Sequence, residues 1–328
     1  MVRQCEIPEV LARRSVSGSQ MHAIDLIMSK RRVKQRILQV KAPCGTSHRH
    51  GLESPASMRK VVIDSNALRS PILAGFLESS QSNIAVVTDY CGIESHRESP
   101  LETVPKSAAT LCRYPHQVLI LKSTHALCRL SGRNKGLQRR LIDEKQTKDF
   151  PLYCRALGTA KAESFGIQLQ LLANGSAAAK IIQEIEAGAP KFTDAISLLM
   201  PRYSSEDRAL IRQGGVLTRQ ALDTLVNAAM ETARDLFASA LRLNVRPGYD
   251  ELLNHYTFRY ALCGQLLALR WGAHGGAEGA KLERMRNDLI DLHFAVCATY
   301  FDGFLSADQK SQGIYRQARE ILRLMRLC

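Results

Sequence analysis

The sequence predicts an α/β protein whose parallel sheet comes from two separated stretches of chain, with a large all-helical insertion between them. Three observations predict it. Short apolar runs ending in polar or acidic residues, Val61-Val62-Ile63-Asp64 and Ile84-Ala85-Val86-Val87-Thr88, read as buried parallel strands. Helix-start chemistry follows both runs. Residues 137–272 then carry helical periodicity almost throughout, before a strand–helix pattern returns near the carboxyl terminus.

In chain order, a strand at 60–64 leads to a helix opening at Ser70-Pro71, where proline suits the first turn. A second strand at 84–88 feeds a helix that Thr88 or Asp89 can cap, and 118–121 is a third strand. The middle of the chain reads as helices over 160–173, 177–186, 206–213, 218–241 and 249–271. Its expected breaks are Gly175, Pro190, Pro201, Gly214-Gly215 and Pro247-Gly248. Residues 272–279 form a linker, followed by a helix at 283–301, a strand at 303–306 and a helix at 308–326. The organisation is therefore an extension at 1–57, a first α/β part at 58–125, a helical insertion at 126–280 and a second α/β part at 281–328.

The extension holds ten Lys/Arg against four acids, a net +6, with poor apolar periodicity and turn residues around Pro43–Pro55. It reads as a basic arm for nucleic acid, as an Arg/Ser-rich organelle leader, or as a stretch with no fold of its own upstream of a natural start at Met58. The last reading is preferred. The whole chain of 328 residues carries a formal +14 and a pI near 9.5, a bias toward polyanions. Nine scattered cysteines without a Cys-x-x-Cys pair argue against a zinc ribbon and a disulfide framework, and for a reducing, cytoplasmic setting. The most apolar stretch, around 256–271, is interrupted by Arg259 and Arg270, which excludes a membrane span there.

The chemistry lies in the acids. Asp64 ends the first strand, and in open α/β sheets ligands bind at that edge. Ser65 and Asn66 follow it with short polar groups able to fix a carboxylate or a bound water. Glu94 sits on the helix after the second strand and is preferred as a ligand, with Asp89 as a cap. Asp288 and Asp291, three apart, share a helix face and repel unless a cation or basic partner compensates them. Asp308 follows the last strand and starts the last helix, so capping competes with ligation there; Asp302, at the strand's other end, reads as turn chemistry. Carboxylates converging on one crevice imply a divalent cation and a site acting on phosphate.

The segments Val61–Leu68, Thr88–Glu94 and Asn287–Gln309 together resemble a PIN-domain nuclease over roughly 58–122 and 283–326. The resemblance implies a Rossmann-like parallel sheet and an acidic cluster binding Mg²⁺ or Mn²⁺. It also implies cleavage of single-stranded or structured RNA, often under an inhibitory protein partner. Residue by residue, Asp64, Glu94, Asp291 and Asp308 match the family's acids, with Asp288 an extra or alternative ligand. The helical middle has no counterpart in small toxin-type members. Expected nucleic-acid contacts are Asn66, Arg69, Lys122 and the basic stretch containing Arg133 and Lys135. Two other classes compete. One is a catalytically silent PIN-like module binding RNA or a protein. The other, a helical DNA reader around Gly214-Gly215, lacks a basic recognition helix.

Overall fold

The computed structural model describes residues 58–159, 165–213, 215–239, 247–276 and 279–327. The basic extension at 1–57 lies outside the described residues, as do residues 160–164 and 240–241 of the expected helices and Gly214.

The sheet comprises β1 (Arg59–Ile63), β2 (Asn83–Val87), β3 (Val118–Ile120) and β4 (Gly303–Leu305), all parallel, in the order β3-β2-β1-β4. Val61 pairs with Ala85 on one side and Gly303 on the other. Val62, Ile63, Ala85 and Val86 are fully buried, as expected of a sheet covered on both faces. Chain order runs outward from β1 to β3 and then returns to β1's other flank. The crevice beyond the carboxyl ends of β1 and β4 is therefore a topological switch point, the place where ligands enter open α/β sheets.

Around the sheet run thirteen helices among the described residues. The first three are α1 (Pro71–Glu78), α2 (Asp89–His96) and α3 (Pro100–Arg113). Ser70 Oγ caps α1 by accepting from Ile72 N, and Thr88 Oγ1 caps α2 by accepting from Cys91 N. Asp89 is not a cap, correcting the sequence reading. Its buried carboxylate accepts from Thr124 N at 2.6 Å and Thr124 Oγ1 at 3.0 Å, tying α2 to α4 (Thr124–Leu127). Next come α5 (Leu137–Leu141), α6 (Glu144–Thr159), α7 (Phe165–Leu199), α8 (Ser205–Arg212) and α9 (Arg219–Ser239). The last four are α10 (Tyr249–Leu252), α11 (Tyr256–Ala273), α12 (Leu282–Ala298) and α13 (Gln309–Leu327).

Two expected breaks do not occur. α7 runs unbroken through Gly175 and Pro190. A Cβ on Gly175 would lie 3.0 Å from Pro100 Cγ and 3.2 Å from His96 O, so this glycine lets α7 approach α2 and α3 rather than ending a helix. At Pro190 the helix continues because Ala189, Phe192 and Ile196 are buried, and tertiary packing overrides the missing N–H. Conversely, the helix expected over 249–271 splits, because His255 caps α11 through Thr257 N.

α11 is buried almost all round, the mark of a central helix, and packs against α9, α12, α13 and α7. One hydrophobic cluster joins sheet residues such as Val62 and Val86 to Phe192, Leu225, Phe258 and Phe294. The helical insertion thus shares the core of the α/β part. Cys112 on α3 and Cys154 on α6 form a disulfide, although the scattered cysteine spacing argues against a disulfide framework. Cys91, Cys128, Cys263 and Cys297 are free and buried, behaving as small apolar groups. No helix among the described residues is long and apolar enough to cross a membrane.

Candidate functional site

β1 delivers Asp64 to the switch point. Asp64 N continues the ladder by donating to Leu305 O at 3.0 Å, so the residue is fixed between the ends of β1 and β4. Its side chain is fully buried. Oδ2 accepts from Ser306 Oγ at 2.6 Å and Oδ1 from Ser65 Oγ at 3.3 Å. Burial raises its pKa, against hydrogen bonds from Ser306, Asn66 N and Ser65 that lower it.

α2 brings in Glu94. Its Oε2 is buried with no hydrogen-bond partner, an exception in a folded protein. Burial is the main cause of its raised pKa; Asp64 adds to the rise, and Ser65, Arg97 and Arg286 oppose it. α12 lies over β1 and β4 and brings in Asp291. The Asp291 pKa is pushed up to about 8, first by burial and then by the charges of Asp64, Glu94, Asp308 and Asp288. Asp291 lies in the middle of α12, well past its first turn, so the helix dipole does not account for an acid there.

Asp308 Oδ1 accepts from Ser311 N at 2.6 Å across the first turn of α13, so the residue caps that helix while its charge acts on Asp291. Asp302, at the other end of β4, accepts from Lys60 N at 2.8 Å, a turn role as the sequence suggests. Asp288, whose charge still acts on Asp291, accepts from Trp271 Nε1 at 2.7 Å through Oδ2 and from Lys310 Nζ through Oδ1.

The expected nucleic-acid contacts divide. Asn66 is exposed beside Asp64, and exposed Arg69 is anchored on Ser107 Oγ through Nε at 3.2 Å and Nη2 at 3.1 Å. Lys122 follows β3 at the same carboxyl edge, with its charge acting on Asp143. Arg133 and Lys135 are not with them. Gly132 abuts the Glu251 backbone, and Gln138 donates to Tyr300 O at 2.7 Å just before β4 begins. This stretch therefore sits toward the amino ends of the strands, away from the acids. His293 is packed inside: its ring stacks on Tyr90 at 4.0 Å, and Nδ1 lies 2.8 Å from Tyr256 Oη.

Sequence reading missed Ser306 and Arg286. Ser306, two residues before Asp308, carried a signal in its place directly after the last strand. Arg286 is buried between Glu186 and Glu283, one turn before the helix positions that face the acids, and only the fold brings it to Glu94.

In donor chemistry the crevice fits a hard divalent cation: its groups are all oxygen, one is an orphaned carboxylate atom, and one carboxyl is pushed up to about 8 first by burial and then by its charged neighbours. Among the described residues no group of three His, Cys, Asp or Glu stands close enough to enclose a metal by itself. No protein-family model, curated protein or solved structure matches this chain.

Proposed function

We propose that the protein is a Mg²⁺- or Mn²⁺-dependent nuclease, with RNA as the preferred substrate, acting through the acidic crevice at the switch point. The observation that carries the reading is Asp291, whose carboxyl is held up to about 8 by burial and four neighbouring carboxylates. Such crowding costs stability unless a cation relieves it.

Asp64, Glu94 and Asp291 would hold the cation, with Asp308 contributing through the oxygen that does not cap α13. When bound, the cation supplies charge neutralisation at the phosphoryl oxygens and a more acidic water. Ser306 and Ser65 fix the Asp64 carboxylate from either side, so its orientation does not depend on substrate. Glu94 Oε2, lacking a partner, is the atom able to accept a proton from an incoming water. Arg97 and Arg286 hold Glu94's charge in check, and Arg69 and Asn66 lie on the rim where a phosphate backbone would pass.

The test is cleavage of labelled single-stranded RNA and DNA with Mg²⁺ or Mn²⁺ by wild type, Asp64→Asn and Asp291→Asn. The expected result is metal-dependent cutting that falls by about 10²–10³-fold in both variants, the usual range for losing a group that acts on transition-state charge. Equal cutting by all three proteins would refute the assignment.

A second reading has its own support. Both Asp64 oxygens are already taken by serine hydroxyls, and among the described residues no three acids stand close enough to enclose a metal. A silent module binding RNA or a protein would show nucleic-acid binding without metal-dependent cutting.

A further inference from the structure

Beside the acidic crevice, on the far side of Asp288, lies a cavity of about 560 Å³ between α8, α11, α13 and the turn that precedes α12. Its size lies within the range of small-molecule sites. Among the described residues four cationic side chains line it, Arg212, Arg270, Arg284 and Lys310, and no carboxylate does. Among the described residues, Arg212, Arg270 and Arg284 make no ion pair: Arg212 donates to Ala273 O and Arg270 to Gln317 Oε1. Lys310 is held on Asp288. Burial and the nearby Arg316 guanidinium hold Arg270 below the usual arginine range, opposed by the charge of Asp308.

The rest of the wall combines apolar and aromatic groups with the polar side chains of His274 and Gln317. Trp271 lies with Arg284 Cζ 5.0 Å and Lys310 Nζ 5.6 Å from its ring centroid, and its N–H is taken up by Asp288. Leu266 and Leu269 continue this surface. A ligand must then bring several negative charges for the guanidinium groups and a flat apolar body for the tryptophan–leucine wall. Inorganic phosphate lacks the body, and an apolar molecule leaves the cations unmatched. Arginine is also the side chain best suited to phosphate, through its planar donor fork.

We infer that this cavity binds a nucleoside phosphate, with its phosphates on Arg212, Arg270 and Arg284 and its base against the Trp271–Leu266–Leu269 wall. The inference does not rest on the nuclease reading, because no acid of the crevice lines the cavity. The nucleoside phosphate is either a free nucleotide or the phosphorylated end of a nucleic-acid strand; the chemistry is shared.

Trp271 is the sole tryptophan of the chain, so its fluorescence reports on the cavity directly. The full chain, in EDTA to suppress cleavage, is titrated with AMP, ATP, inorganic phosphate, and a short oligonucleotide with and without a 5′-phosphate. Saturable quenching by ATP, at least tenfold tighter than any response to inorganic phosphate, is the expected result. ATP binding without a 5′-phosphate effect on the oligonucleotide indicates a free nucleotide; a 5′-phosphate-dependent response indicates a strand end. The double variant Arg212→Gln/Arg284→Gln, both exposed positions, should weaken ATP at least tenfold. The charge-matched control Arg139→Gln/Lys145→Gln should leave ATP binding unchanged, as should Asp64→Asn. No saturable quenching by any nucleotide or oligonucleotide, equal affinity for inorganic phosphate, or equal weakening in the control each overturns the proposal.

Discussion

The two ends of the sheet treat buried charge in opposite ways. At the amino end buried charge is met by hydrogen bonds. Arg259, the largest fully buried side chain, donates to Leu253 O at 2.9 Å, Thr299 O at 2.8 Å, Thr299 Oγ1 at 3.0 Å and Asn254 Oδ1 at 3.2 Å. Its guanidinium also sits 3.7 Å from the Tyr300 ring centroid. Asp302 nearby is satisfied by Lys60 N. At the carboxyl end Asp64, Glu94, Asp291 and Asp308 act on one another through their charges, and one Glu94 oxygen has no partner. Matched burial serves stability. Unmatched burial is retained at a cost, and such strain gathers where function lies.

The comparison can be broken by mutation at either end. The largest effect is expected from Arg259→Leu, which removes the donor from Leu253 O, Thr299 O and Thr299 Oγ1 while Asn254 Oδ1 keeps Arg326 Nη2; stability should fall by about 3–5 kcal/mol, read as a lower denaturation midpoint. A loss under 1 kcal/mol would mean that the amino end is not held by this residue.

Next in size is acid sensitivity. Burial depresses the His255 pKa to about 4. The unfolded chain therefore takes up a proton at a higher pH than the folded one. The stability from a neutral His255 is fully present above pH ~6.5 and lost as pH falls toward 4, on the order of 2–3 kcal/mol. His255→Gln should flatten thermal melts between pH 7 and 4.5, and an unchanged slope would remove His255 as the cause.

The carboxyl end should respond with the opposite sign. Asp291's folded pKa, about 8, lies above its ordinary value. The folded protein therefore binds the extra proton, and stability falls as pH rises from about 4 to 8. Asp291→Asn should raise stability in EDTA at pH 8 by about 1–2 kcal/mol, roughly 2–4 °C in Tm, with no gain at pH 4. Adding Mg²⁺ should raise the wild-type Tm more than the variant's. A destabilised variant at pH 8 would show that Asp291 is a structural group.

The smallest effect is expected for Asp302→Ala, about 1 kcal/mol from one lost hydrogen bond, measured by the same melts. It should leave cleavage untouched, whereas any loss of cutting would extend the functional region beyond the carboxyl edge.

Much of this architecture was legible in the chain. All four strands fall within a residue or so of their apolar runs, because a buried parallel strand needs a short continuous apolar stretch. Ser70-Pro71 and Thr88 start their helices through local chemistry that needs no partner. Asp64, Glu94 and Asp291 were legible as candidates from their placement at strand ends and on one helix. Gly175 and Pro190 misled, since the same residues break an isolated helix and are tolerated in a packed one. Asp288 and Asp291 are alike in sequence, on one helix three residues apart. Only packing sends one to Trp271 and Lys310 and the other to the crevice.

The sequence by itself therefore determined the α/β class, the strand positions, the helix starts and the acids that end or flank the strands. Each depends on residues within a turn or a strand's length of one another. Only the tertiary structure decided the strand order that creates the switch point and the isolation of Arg133 and Lys135 at the opposite edge. It alone also decided the sharing of Asp288 between a tryptophan and a lysine and the cation-lined cavity beside it. Those depend on contacts between residues far apart in the chain, and such contacts are fixed by how apolar faces pack, which no local pattern encodes.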